Sequence, residues 1–189
     1  DELGEYSLGD SEVTLELGEE VLPLLIELSK LTRMPLFDTS LATSGQFVES
    51  LLMQESQLRN EVIPSKPSEA EAQERQENPI EGAFVKLPEP EIYDNIAVFD
   101  FRGLYPSIII SYNIDPTTLL KDGNYEDAFV SPMGARFRKA PCGLIPHTLG
   151  RLLDLRASIK KDLKRLGKAD AGYKKMYARS HALKILANS

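Results

Sequence analysis

The sequence has one cysteine, no long apolar run and no recognisable leader. A single Cys142 excludes an internal disulfide and is typical of a protein that works in a reducing compartment. No apolar stretch reaches the roughly 18 residues that a membrane-spanning helix requires. The first residues, DELGEYSLGD, lack the basic and then apolar pattern of a secretory signal, and the missing initiator Met favours a processed chain or a fragment. These features fit a reducing compartment, and we expect no membrane partner.

Positive charge is scarce in the first 150 residues and concentrated in the last 39. The 189 residues are 42% hydrophobic and 27% charged, which predicts a globular protein of one domain or parts of two. Residues 151–189 carry 11 Lys and Arg against 3 Asp and Glu, whereas residues 1–150 carry 11 against 26. Two interpretations remain open for the basic stretch: it faces phosphate groups or another polyanion, or it is a solvated helix pair.

Helical patterns dominate both ends of the chain. Residues 7–32 repeat apolar side chains at helical spacing, although Pro23 should kink the helix or end its first half. Further helices are predicted at about 43–58, 105–114, 148–166 and 173–189. The last two are joined by GKADAG (167–172), which predicts an antiparallel hairpin. One side of its first helix is apolar: Leu149, Leu152, Leu153, Ile159, Leu163 and Leu166.

The middle of the chain predicts strands and connections. AFVKLP (83–88) and NIAVFDF (95–101) are typical of strands, and the second is apolar enough to be central in a sheet. Residues 64–79 contain three prolines and almost no large apolar residues, which predicts a mobile surface connection. Residues 115–146 contain several Pro and Gly and are predicted to be irregular. The predicted fold class is therefore α/β (α+β).

Asp100 ends the second predicted strand, just before a sharp turn. A buried carboxylate requires a partner. A carboxylate at this place suits metal binding, because the strand fixes its position and the turn offers N–H groups to phosphates. Phosphoryl transfer with two Mg²⁺ ions requires such a carboxylate and at least one more on a neighbouring strand. The alternative is that Asp100 only caps the turn.

Two pairs in the predicted hairpin lie four residues apart, so each pair shares a helix face. Arg156 with Lys160, and Lys184 with Asn188, lie on facing helices and could converge on one triphosphate. The alternative is two solvated helix faces.

A third pair with the same spacing, Tyr6 and Asp10, lies near the N-terminus. Ser7 and Asp10 also match the S-x-x-D capping box of a helix start, which by itself would account for Asp10.

Together these stretches resemble the family B DNA polymerases, most closely the archaeal ones. DFRGLYPSII (100–109) resembles the first palm motif, D-x-x-x-L-Y-P-S-I-I. KILANS (184–189) resembles the opening of the fingers motif K-x-x-x-N-S-x-Y-G, and YSLGD (6–10) is similar to the third exonuclease motif, Y-x-x-x-D. The order and spacing of the motifs fit the family across essentially the whole chain. One departure is IEGA (80–83), where Ile80 replaces the family's Tyr.

The resemblance implies a partial polymerase right hand. Residues 1–35 would form the C-terminal helical end of an RNase H-like 3′–5′ exonuclease domain. Residues 36–147 would form the first part of the palm with a segment of its sheet. Residues 148–189 would form most of the antiparallel two-helix fingers.

The resemblance also implies roles for the palm residues. Asp100 would be the catalytic aspartate that binds both Mg²⁺ ions, and the carbonyl of Phe101 would be a backbone metal ligand. The N–H groups of Leu104 and Tyr105 would hold the triphosphate. The Tyr105 ring would lie under the sugar and reject a 2′-hydroxyl.

For the fingers, the resemblance implies four residues that grip the incoming triphosphate: Arg156, Lys160, Lys184 and Asn188. In the exonuclease part, Tyr6 would orient the attacking water and Asp10 would bind metal.

The implied reaction is attack of a primer 3′-hydroxyl on the α-phosphate of a deoxynucleotide by a two-metal mechanism, with an associated 3′–5′ exonuclease. The implied partners are primer–template DNA, deoxynucleoside triphosphates, a sliding clamp, and the thumb and second half of the palm in the same or another chain. The implied location is the cytoplasm, in association with the nucleoid. No Asp-Thr-Asp palm strand occurs in the 189 residues, so we expect the isolated chain to be inactive. The alternative is a non-catalytic DNA-binding or scaffold remnant.

Overall fold

A computed structural model of the chain describes residues 2–63, 65–79, 82, 84–101, 103–120, 127–170 and 172–189. Within these residues the elements follow one another as α1 (Glu2–Thr32), α2 (Leu36–Leu41), α3 (Ser44–Arg59), α4 (Glu69–Glu77), α5 (Leu104–Ser111), β1 (Leu119–Leu120), β2 (Ala128–Val130), β3 (Arg136–Arg138), α6 (Leu144–Leu163) and α7 (Tyr173–Asn188). The chain divides into two compact units, residues 1–61 with 103–189 and residues 62–102. No helix in the described ranges is long and apolar enough to cross a membrane.

The core of the first unit is built from α1, α3, α6 and α7. Its buried apolar side chains are Leu28, Phe47, Leu51, Leu149, Leu152, Ile159, Ala182, Leu183, Leu186 and Ala187. The Nε of Arg156 on α6 donates a hydrogen bond to the carbonyl of Ser180 on α7, at 3.2 Å. The predicted helical hairpin and its apolar side are therefore confirmed, with α6 beginning four residues earlier than expected. In the connecting turn, residue 171 lies outside the described ranges.

The first helix is continuous, and only its C-terminal part is packed. Pro23 lies inside α1, so the prediction that it ends the first half is wrong. Leu28 is 3% exposed, whereas Val13 is 65% exposed. The predicted capping box at Ser7 and Asp10 is also wrong, because the helix begins at Glu2 and a cap forms only at a helix start. Both residues lie in the helix interior.

A buried carboxylate joins α1 to α7. Glu27 is 2% exposed, and its Oε1 accepts a hydrogen bond from Lys30 Nζ at 2.9 Å. Its Oε2 has no hydrogen-bond partner among the described residues and lies 4.0 Å from Arg179 Nε on α7. Closer to solvent, Lys174 Nζ on α7 donates to Glu20 Oε2 at 2.9 Å. Two ion pairs thus connect the helices along their contact.

The strands predicted at 83–88 and 95–101 are wrong for the residues that the structure describes there, since 84–101 contain no strand. A strand requires a neighbour to pair its N–H and C=O groups, and the described part of this segment provides none. Val98 is 88% exposed and Phe99 is 93% exposed. Residue 83 and the predicted departure at Ile80 lie outside the described residues.

A small antiparallel sheet forms instead in the stretch that was predicted to be irregular. Its strand order is β1-β3-β2, with Phe137 opposite both Leu119 and Phe129. The described residues thus form a mainly helical fold with one short sheet.

Helix α4 lies in the stretch that was predicted to be a connection. It begins with a capping box: Ser68 Oγ accepts from the N–H of Glu71, and Glu71 Oε2 accepts from the N–H of Ser68 at 2.8 Å. The Glu71 carboxylate accepts bonds from the Ser68 N–H and from the Ser68 hydroxyl, and these two bonds, the first foremost, hold the pKa of Glu71 below its usual value. No residue of α4 is buried, so the prediction of a surface segment is confirmed although the helix was missed.

A buried polar cluster fixes the start of α6. Asp115 is 3% exposed, and its Oδ2 accepts from the N–H of Ile145 in the first turn of α6, at 2.8 Å. Asn113 Oδ1 accepts from the N–H of Gly143 at 2.8 Å. A Cβ at Gly143 would lie 2.5 Å from Asp115 Cβ, so only glycine fits there. This cluster positions the helix that carries Arg156 and Lys160.

Candidate functional site

A cleft of about 440 Å³ lies on the helical hairpin, between α6 and α7. Three of the residues predicted to grip a triphosphate line it, Arg156 and Lys160 from α6 and Lys184 from α7. Its other lining residues are Leu163, Lys164, Tyr173, Tyr177, Ser180 and His181. Arg156 is half-buried and held by the Ser180 carbonyl, while both lysines are exposed. The antiparallel packing of the two helices brings these cations together.

The cations of the cleft lack acidic partners. Within the described ranges, no carboxylate lies within 4.0 Å of the charged nitrogens of Arg156, Lys160, Lys164 or Lys184. Elsewhere on the hairpin, four cations form ion pairs: Arg151 with Glu55, Arg165 with Asp162, Lys174 with Glu20 and Arg179 with Glu27. Lys161, Lys168 and Lys175, outside the cleft, have no carboxylate partner in the described ranges either. A cluster of four uncompensated cations raises the local concentration of anions. This charge suits a phosphate-bearing ligand, and a solvated face remains the alternative.

Two other predicted residues, Tyr105 and Asn188, line a different cavity. It has about 430 Å³ and an apolar lining from α3, α5, α6 and α7, which includes Leu51, Ile109 and Leu186. Tyr105 is 74% exposed. The predicted nucleotide-binding set is thus divided between the cationic cleft and this apolar groove.

Leu104 and Tyr105 are the first two residues of α5, after Gly103. The N–H groups in the first turn of a helix have no partner within that helix. Gly103 has φ +63°, a left-handed conformation that glycine adopts without strain. The local backbone therefore offers donors at Leu104 and Tyr105, as a phosphate ligand would require.

Asp100 and Phe101 belong to the second unit, and both are exposed. A carboxylate and a backbone carbonyl are oxygen donors of the kind that Mg²⁺ prefers. In the part of the chain that the structure describes, no three His, Cys, Asp or Glu side chains come together to hold a metal ion. The donors at 100 and 101 have the right chemistry, but their number is too small for a complete metal centre.

Tyr6 and Asp10 lie one turn apart on the exposed N-terminal part of α1. The Tyr6 side chain is 68% exposed. Their shared face agrees with the predicted spacing, and the core of the first unit does not include them.

Sequence reasoning missed the fourth cation and the three rings among the lining residues of the cationic cleft: Lys164, Tyr173, Tyr177 and His181. Lys164 follows Lys160 by four residues, and the three rings are four residues apart along α7. The spacing rule that selected Arg156 with Lys160 would have found them as well.

Comparisons with known proteins identify the family. The profile of DNA polymerase family B matches residues 37–189. The DNA polymerase of Pyrococcus horikoshii is 41% identical over 187 residues, which cover 99% of this chain and 15% of the relative. The DNA polymerase of Thermococcus gorgonarius is 42% identical over 185 residues, which cover 97% of this chain and 24% of the relative.

A solved structure is also similar. The family B DNA polymerase from the hyperthermophilic archaeon Pyrobaculum calidifontis superimposes with a TM-score of 0.80 and 35% identity, covering 98% of this chain and 24% of that one. The chain therefore spans about a quarter or less of the length of these relatives. Polymerases of this family bind DNA and deoxynucleoside triphosphates and generally use divalent metal ions. On the profile match, the relatives and the shared fold, the chain belongs to DNA polymerase family B.

Proposed function

We propose that the chain is the central part of a DNA-directed DNA polymerase and that its cationic cleft grips the triphosphate of the incoming deoxynucleotide. One observation carries the proposal: Arg156, Lys160 and Lys184 line one cleft, and none of them pairs with a described carboxylate. A triphosphate supplies the negative charge that this cleft lacks. The non-catalytic remnant is the competing proposal.

The cations have distinct tasks in this proposal. The guanidinium of Arg156 keeps free N–H groups after its bond to Ser180, so it can bind two phosphate oxygens at once. Lys160 and Lys184 act as mobile point charges that stabilise the negative charge moving to the leaving pyrophosphate. The Asn188 amide, which lines the apolar groove rather than the cleft, would add a neutral donor from the next turn of α7.

The start of α5 completes the nucleotide contacts. The N–H groups of Leu104 and Tyr105 would donate to phosphate oxygens. The exposed ring of Tyr105 is free to lie against the sugar, where it would reject a 2′-hydroxyl. This role gives the enzyme its preference for deoxynucleotides.

The Asp100 carboxylate and the Phe101 carbonyl would hold Mg²⁺. When bound, the metal supplies charge stabilisation for the primer hydroxyl and the triphosphate. Primer–template DNA, the thumb and the second half of the palm would complete the enzyme, and a sliding clamp would bind through other segments. Tyr6 and Asp10 would serve the 3′–5′ exonuclease, and DNA as substrate implies a nucleoid location in the cytoplasm.

The proposal is tested in a complete polymerase assembled from this chain and the remaining segments. We expect Lys184→Ala and Lys160→Ala each to lower kcat/KM for a deoxynucleotide by at least about tenfold, because each lost charge-assisted contact costs roughly 1.5–3 kcal/mol. The matched control is Lys161→Ala, which removes an exposed lysine of α6 outside the cleft. The melting temperatures should barely change, since exposed substitutions alter stability by about 0.5 kcal/mol or less.

The competing proposal gives a different pattern. A non-catalytic DNA-binding remnant would lose DNA affinity equally at Lys160 and Lys161 and would show no effect specific to the nucleotide. Equal kcat/KM values for Lys160→Ala and Lys161→Ala would contradict the triphosphate site.

A further inference from the structure

We infer that the cationic cleft also binds single-stranded DNA, with the phosphates along α6 and the bases along α7. The triphosphate assignment leaves the rings of the cleft without a task. The inference does not require that assignment, because it rests on two parallel rows of side chains.

The first row consists of two cations on α6 and one, Lys164, at the cap position that directly follows its last residue. Arg156, Lys160 and Lys164 lie four residues apart and all line the cleft. Four residues of an α-helix rise about 6 Å, so the three charges repeat at about that distance. Consecutive phosphates of a single strand are spaced similarly when the strand is extended, so each cation can meet one phosphate. A groove of this charge follows a nucleic-acid backbone.

The second row consists of rings on α7. The ring centroids of Tyr173 and Tyr177 are 6.1 Å apart with an interplanar angle of 14°. Those of Tyr177 and His181 are 6.4 Å apart at 47°. Tyr177 is 57% exposed, so a large part of its ring surface is open to solvent. Exposed aromatic rings bind nucleobases of any sequence, because every base has a flat face.

The two rows run side by side because the helices are antiparallel. Arg156 contacts Ser180, which precedes His181, and the row on α6 then continues toward Lys164 as the row on α7 continues toward Tyr173. Both rows therefore repeat three times, at about the same distance. A single nucleoside triphosphate requires one ring and one group of cations, whereas a repeated pattern suits a repeating ligand. Three nucleotides of a single strand match the length of both rows.

The experiment measures binding of fluorescently labelled oligothymidines of two to eight nucleotides to the 189-residue chain by anisotropy, with a duplex of equal length in parallel. We expect affinity to rise steeply up to about three nucleotides and only slowly beyond, and the single strand to bind more tightly than the duplex. Tyr177→Ala should weaken single-strand binding by roughly 5- to 150-fold, the range of one lost base stack. Tyr177→Phe keeps the ring and should retain the affinity.

Matched control variants distinguish loss of the cleft's rings and cations from the loss of any exposed tyrosine or lysine. Tyr93→Ala removes a half-exposed tyrosine of the other unit and should change nothing. Lys164→Ala should weaken binding and reduce the salt dependence by about 0.7 in slope, whereas Lys161→Ala, outside the cleft, should do neither. Circular dichroism spectra of each variant establish that the helices are intact.

Three results would overturn the inference. The first is equal binding of duplex and single strand with no effect of Tyr177→Ala, which describes a purely electrostatic patch. The second is tighter binding of dATP than of any oligothymidine, with the same dependence on Tyr177, which describes a site for one nucleotide. The third is no detectable binding of oligothymidine at low salt. None of these results depends on the kinetics of Lys184→Ala, so the triphosphate proposal stands or fails separately.

Discussion

The helical hairpin carries the predicted triphosphate-binding cations, and the segment 84–101 carries the predicted metal ligand Asp100. The two regions differ in how well other elements of the chain pack against them. In the hairpin, Leu152 and Leu183 are buried in a core that other helices of this chain complete. In the segment, Val98 and Phe99 are almost fully exposed and have no strand to pair with. Cations on the outer face of a packed helix pair have a fixed backbone, whereas Asp100 has no such support. The hairpin residues are positioned because other helices of this chain pack against their helices, and the described residues of segment 84–101 have no comparable packing.

The largest expected effect concerns Asp100, which lies in the exposed segment 84–101. We expect no primer extension by the isolated chain on a primed template with Mg²⁺ and four deoxynucleotides, because one palm carboxylate cannot place two metals. In a complete polymerase, Asp100→Ala should reduce extension to the background of the assay. The control is Asp94→Ala, an exposed carboxylate of the same segment. Robust extension by the isolated chain would show that the catalytic carboxylates are assigned wrongly.

The second prediction concerns the packing of Gly143 against Asp115, which fixes the start of α6 in the hairpin. Gly143→Ala places a Cβ 2.5 Å from Asp115 Cβ and should lower the free energy of unfolding by about 1–3 kcal/mol, as overpacking does. Denaturant unfolding of the 189-residue chain measures it. Gly150→Ala is the matched control inside α6, where a Cβ meets no atom within 4 Å and should stabilise the helix by up to about 1 kcal/mol. Equal and small effects of both changes would remove the special role of Gly143.

The smallest expected effect is the pH dependence of α4 in the second unit. The pKa of Glu71 is lowered by its bonds to Ser68, so these bonds stabilise the helix above the usual pKa of a glutamate. The stabilisation is lost as the pH falls through the lowered pKa. Amide chemical shifts of α4 followed from neutral to acidic pH should show this loss. Glu71→Gln keeps the capping bond without a titrating group and should remove the pH dependence. Identical titrations of the two proteins would contradict the role of the carboxylate.

Local pattern predicted the helices well, because helical periodicity and turn residues act over a few positions. The hairpin, its apolar side and the convergence of Arg156 with Lys184 follow from spacing on two helices joined by a short turn. The same rule would have included Tyr177 and Lys164 if it had been applied beyond the motif residues.

The strands could not be predicted from local pattern in the same way. NIAVFDF has the composition of a central strand, but a strand forms only beside a partner, and apolar composition does not reveal where that partner is. The Asn113–Asp115–Gly143 cluster was missed for a related reason, since it joins residues about 30 positions apart through single hydrogen bonds. Long-range polar contacts of this kind leave no periodic trace in a sequence.

The electrostatic free energy of the buried Glu27 on α1 depends on the position of Arg179 on α7. Any displacement of α7 that follows ligand binding near Lys184 changes the distance between Arg179 and a carboxylate that has no other partner for its Oε2 among the described residues. If ligand binding in the cleft moves α7, the Arg179–Glu27 pair couples that movement to α1, and a ligand bound to either helix changes the affinity of the other by the same factor.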